Sequence, residues 1–130
     1  MVDGNGQLGV IVSTQTAKED IGDMGDASAG LLRLRPVTFR YKQAAADGSK
    51  PLQYGLIAEE VAEVMPELVV YDAEGQPQTV QYHVLPALLL NELQRQQAEV
   101  QDLRAQLEQQ RAELAELKAA LRKQAERAGR

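Results

Sequence analysis

The chain has 130 residues, a net charge of −5, no cysteine and a single histidine, His83. The acidic balance argues against a general binder of nucleic acid or anionic membrane, while the missing cysteines and lone histidine exclude disulfides and Cys- or His-rich metal clusters. No apolar run approaches about 18 residues and the opening Met-Val-Asp-Gly is no signal peptide, so a soluble protein with no membrane partner, metal or cofactor is expected.

Residues 3–9 (DGNGQLG) are turn-rich, and the β-branched run Val10, Ile11 and Val12 predicts a short strand that cannot stand alone. A polar, helix-tolerant stretch follows to Ile21. Residues 26–34 (DASAGLLRL) predict a helix of about two turns that stops before Pro36, because a residue preceding proline is pushed out of the helical region. Val37, Phe39 and Tyr41 alternate with polar neighbours at strand period. Asp47-Gly48 marks a turn toward a second strand over 53–57. Residues 58–65 (AEEVAEVM) place Val61, Val64 and Met65 on one face and the glutamates on a solvated one, ended by Pro66. Residues 68–71 and 79–82 read as a hairpin around DAEGQP, after which Pro86 suits the first turn of a helix.

That last helix is the longest element, expected over about 88–124 and filled with strong helix formers. In heptad register Leu93, Val100, Leu107, Leu114 and Leu121 fall at a, and Leu89, Gln96, Leu103, Gln110, Leu117 and Gln124 at d. The seam runs for about five heptads, which makes a rod of roughly 55 Å. So narrow a stripe asks for other helices, and copies of the same chain are the expected partners, as a trimer or a dimer. One Phe, four Tyr and no Trp leave the head a sparse core, so folding and association should be coupled.

Ser13 and Lys18 are the nucleophile and base candidates that sit close together in sequence with a strand leading into them. A serine hydroxyl needs a base, and a lysine serves only when neutral; Ser-Lys pairs are a known variant of serine nucleophile chemistry. Attack by Ser13 on the carbonyl of Val12 would be intramolecular and so entropically favoured. It would also need oxyanion donors, which the sequence does not assign. By spacing alone, Ser13, Thr14 and Thr16 are ordinary turn caps and Lys18 a surface charge.

The runs VSTQTAKEDI, LLRLRPVTFRYK, YGLIAEEVAEVMPELVVYD and TVQYHVLPALLLNEL, followed by a coil, resemble in order the peptidase S74 family of intramolecular chaperone domains at the C-terminus of bacteriophage tail spikes and tail fibres. The resemblance spans about residues 7–124. It implies a homotrimer whose partners are its own copies and the upstream fibre or spike domain of the same polypeptide. It also implies catalytic Ser13 as nucleophile and Lys18 as general base, spaced S-x-x-x-x-K, with cleavage at the Val12–Ser13 junction. The implied setting is the host cytoplasm during assembly, with the upstream product on the virion. This chain has Thr14 where the family often has Asp or Ser, and Ala17 where it commonly has a large apolar residue. Those departures suit an alternative: a non-cleaving trimerisation or adaptor module of the same fold.

The expected fold is α+β, with short antiparallel strands and short helices in a small head. Residues 1–12 are read as a remnant of the upstream fibre, 13–87 as the head and 88–130 as the stem. The trimerisation seam is Leu93, Val100, Leu103, Leu107, Leu114, Leu117 and Leu121.

Overall fold

The computed structural model of the chain describes residues 11–129. Two small antiparallel hairpins, a short helix and several single 3-10 turns form a head at the base of one long helix. The fold is the expected α+β mixture.

The first hairpin pairs β1 (Val37–Phe39) with β2 (Gln53–Gly55), setting Val37 opposite Gly55 and Phe39 opposite Gln53. Its connection turns at Gly48, φ +83°, where the carboxylate of Asp47 accepts from the backbone N–H and the hydroxyl of Ser49. Gly55 is needed for closeness rather than for its dihedral angle. A Cβ there would lie 3.0 Å from the Tyr82 hydroxyl oxygen and 3.3 Å from the Phe39 ring. The Tyr82 hydroxyl accepts from the N–H of Leu56 at 3.1 Å, pinning the hairpin's end to the segment that leads into the long helix.

Helix α1 (Ala58–Val64) stops ahead of Pro66, which opens a 3-10 turn over Pro66–Leu68. The second hairpin follows, β3 (Val69–Tyr71) against β4 (Pro77–Val80), with an irregularity between Val70 and Tyr71. Its turn is organised by Asp72, whose carboxylate accepts from the N–H groups of Glu74 and Gln76 at 2.9 Å each, and by Gly75 in the left-handed region. The core lies where these elements meet. Val61, Met65, Leu68, Val69 and Val80 are buried, with Leu31, Leu34, Leu56, Val84, Leu85 and Leu88 packed around them.

Helix α2 runs from Leu85 to Ala128, 44 residues, with Pro86 in its first turn. It starts three residues before the position that the heptad pattern suggested, and for a physical reason. Leu85 and Leu88 pack on the head core, so the first turn is held by tertiary contact. Beyond the head the seam residues Leu93, Val100, Leu103, Leu107, Leu114, Leu117 and Leu121 are all exposed in the single chain.

Other expectations also differ from the structure. The helix expected over 26–34 is a turn followed by a five-residue 3-10 helix, Ala29–Arg33, since so short a segment containing Asp26, Ser28 and Gly30 forms too few α-type bonds to offset nucleation. The strands expected to reach Tyr41 and Ile57 end at Phe39 and Gly55, and Tyr82 sits in a 3-10 turn rather than a strand. In the strand expected over residues 10–12, Val10 lies outside the described residues, and Ile11 and Val12 are irregular.

Candidate functional site: the Ser13–Lys18 arm and its root

Residues 11–27 form an arm that leaves the head, solvent-exposed along nearly its whole length. Within it a single 3-10 turn, Gln15–Ala17, is closed by the N–H of Ala17 on the carbonyl of Thr14 and that of Lys18 on the carbonyl of Gln15. The turn folds the five-residue spacing back on itself, and Lys18 Nζ donates to Ser13 Oγ at 2.7 Å. After Lys18 the chain reverses at Asp20, φ +54°, a left-handed conformation that aspartate tolerates better than most side chains.

The two proposed catalytic residues are therefore in hydrogen-bond contact, with Val12 immediately before the hydroxyl that would attack it. The Thr14 and Thr16 hydroxyls lie 3.2 Å apart on the same turn. With the ammonium donating, the lysine orients the serine; proton abstraction requires the neutral amine, with the Ser13 proton passing the other way across the same contact. Among the described residues no group of three or more His, Cys, Asp or Glu is placed to hold a metal ion, and no helix is long and apolar enough to cross a membrane. His83 is exposed, in the 3-10 turn ahead of α2.

The arm is tied down at its root by residues that the sequence did not single out. Ser28 is fully buried and Glu92 is 5% exposed. The Ser28 hydroxyl donates to Glu92 Oε2 at 2.8 Å and accepts from Asn91 Nδ2 at 2.7 Å, while the same Asn91 amide donates to the carbonyl of Gly25 at 2.9 Å. Arg95 Nη1 reaches Glu92 Oε2 at 2.9 Å, and Gln96 Nε2 reaches Oε1 at 3.1 Å.

A carboxylate out of water is costly unless donors surround it, and here three side chains supply them. The Ser28 hydrogen bond, with Gln96 and the Arg95 guanidinium, holds the Glu92 carboxyl below the usual glutamate range against the opposing effect of burial. In sequence Glu92 falls between the seam positions Leu89 and Leu93 and at neither a nor d. The available hint was Asn91-Glu92 interrupting an otherwise apolar run from Ala87 to Leu93.

Elsewhere on the head, Arg35 grips Glu60 with two parallel bonds of 2.9 and 2.7 Å. One member of the glutamate face on α1 is thus paired rather than merely solvated. The Arg35 hydrogen bond holds the Glu60 carboxyl below its ordinary value.

No curated protein matches the chain in sequence. A family profile described as the chaperone of endosialidase does match, from the serine of the dyad through α1 and into β3, leaving β4 and α2 outside it. The match takes in the arm from Ser13, the first hairpin and α1, so residues 13–70 of this chain are similar to the peptidase S74 family, chaperone of endosialidase.

Proposed function

We propose that this chain is a homotrimeric, self-releasing folding chaperone for a tail fibre or spike that precedes it in the same polypeptide, working in the host cytoplasm and leaving the upstream product for the virion. The family match supports the chaperone role. Self-association is supported by the seam of α2 and by a groove of about 630 Å³ that meets it, since Leu89 belongs to both, with Leu31, Leu34, Tyr54, Leu56 and Tyr82 among the other walls. Parallel packing of copies along the seam would cover both and supplement a core of few buried side chains.

Release is carried by one observation, the 2.7 Å contact between Ser13 Oγ and Lys18 Nζ. In the proposed reaction Ser13 Oγ attacks the carbonyl carbon of Val12. Its proton passes to the neutral Lys18 amine and from there to the departing Ser13 nitrogen, as the Val12–Ser13 C–N bond breaks and an ester forms. Water then adds to the ester and splits it, leaving a carboxylate on Val12, restoring the Ser13 hydroxyl and giving a product that begins at Ser13. Each domain cuts once. Irreversible removal of the chaperone would leave the fibre kinetically trapped in its folded form.

The test is expression behind the natural upstream sequence with intact-mass measurement. Two products, one ending at Val12 and one beginning at Ser13, are expected, with cleavage abolished by Ser13→Ala; a chain that stays whole in both forms removes the proteolytic half. The second reading, a trimerisation module that does not cleave, is favoured by the exposure of Lys18 and by the small Ala17 beside it. Sedimentation tests both readings, because a monomer at micromolar concentration is compatible with neither.

A further inference from the structure

We infer that Asn91 and Glu92 are positioning residues for the arm that carries Ser13 and Lys18, clasping its root at Gly25 and Ser28 to the first turns of α2. The inference rests on the self-cleavage reading for its purpose, though not for its geometry. Among the described residues, the Asn91 amide supplies the hydrogen bond between the exposed arm and α2. The same amide reaches Ser28, whose hydroxyl is turned to Glu92 instead of capping the 3-10 helix that follows it.

The chemistry of the clasp makes it selective for one docking geometry. An apolar contact between arm and helix would tolerate sliding, whereas the buried Ser28 hydroxyl completes the donor set that Arg95 and Gln96 begin on α2 only where it meets Glu92. Asn91 and Glu92 are neighbours on α2 and bond residues 63 to 66 positions earlier. The clasp therefore exists only when the first turns of α2 are helical and seated on the head. Formation of the stem would in this way precede and set the placement of the arm, so that Ser13 and Lys18 are presented to the upstream junction by an already folded chaperone. Gln96, a seam position that also donates to Glu92, links the clasp to the strip where copies would associate.

The experiment uses the full chain behind its upstream sequence, as wild type, Asn91→Ala, Glu92→Gln and Glu92→Ala. It reads the cleavage rate together with amide exchange at the hydrogen-bonded N–H groups of Ala27 and Ala29 at the root and of Val61, Met65 and Leu68 in the core. In Asn91→Ala the root amides should exchange faster while the core amides keep their wild-type protection. Cleavage should slow by about 10- to 100-fold, the scale of a misplaced reacting group. Glu92→Gln retains an acceptor for Ser28 and should keep more of the rate than Glu92→Ala. Root exchange unchanged in Asn91→Ala, or root and core loosening together, overturns the inference. If the wild type is not cleaved, the exchange comparison still decides the clasp, and it is the self-cleavage reading that fails.

Discussion

Gln96 Nε2 donates to Glu92 Oε1 at 3.1 Å, so a position that the heptad pattern places in the seam is engaged with the junction between head and stem. The two polar d positions, Gln96 and Gln110, are consequently not equivalent. Gln110→Leu should raise the melting temperature of the associated coil, by burial worth about 1.5 kcal/mol or more per chain. Gln96→Leu should give a smaller gain or none, because the leucine removes a donor from a buried carboxylate. Melting curves paired with sedimentation distinguish them, and equal gains from both would place Gln96 outside the clasp.

Lys18→Arg keeps a cation that can still donate to Ser13. A guanidinium is not deprotonated in proteins, so it orients the serine without acting as a base. Cleavage should fall by roughly 10²- to 10⁴-fold, the usual contribution of a positioned base, with no loss of thermal stability from this exposed site. Wild-type cleavage in the arginine variant, read by intact mass over time, would leave Lys18 without a proton-transfer role.

Gly30 packs against the buried Met65. A Cβ added at Gly30 would stand 2.8 Å from Met65 Cγ and 3.0 Å from its Sδ, and the Met65 side chain is enclosed by the core. Gly30→Ala trades a backbone gain of about 0.4–1 kcal/mol against overpacking of about 1–3 kcal/mol. Net destabilisation is expected in a denaturant titration, and an increase in stability would show that Met65 repacks without strain.

Val61 is the most deeply buried apolar side chain of the core, at 1% exposure. Val61→Ala removes two buried methyl-sized groups and leaves a cavity, a loss of about 2 kcal/mol. In a core this small that loss should appear as a clear drop in melting temperature. An unchanged value would mean that contacts between copies, rather than this cluster, hold the head together.

Acidification should destabilise the fold. Glu92 is held below its usual range chiefly by Ser28, Glu60 chiefly by Arg35 and Asp47 chiefly by Ser49. Each carboxyl is a stronger acid folded than unfolded, so its contribution is complete above the unfolded value of about 4 and is lost as pH falls through the folded one. The melting temperature should therefore hold down to about pH 5 and decline below about pH 4. Glu92→Gln should make the decline shallower; the same slope in wild type and variant would show that Glu92 does not contribute.

Features that depend on neighbours in sequence were legible from sequence. The strong helix formers after Pro86, the alternation from Val37, the turns at Asp47-Gly48 and around Asp72, and the stop at Pro66 each express a local preference, and each stands where expected, with ends shifted by a few residues. The S-x-x-x-x-K spacing was visible too, although the 3-10 turn that closes it to 2.7 Å was not, since a polar run carries no periodic signal. The tertiary structure alone decided what lies across long separations. Ser28 is read from sequence as one residue of a short helix, Glu92 lies outside the a and d positions of the seam, and 64 positions divide them. No local pattern records that a hydroxyl and a carboxylate will be buried against each other. That pairing forms only because Leu85 and Leu88 seat α2 on the core, bringing Asn91 and Glu92 over the root of the arm.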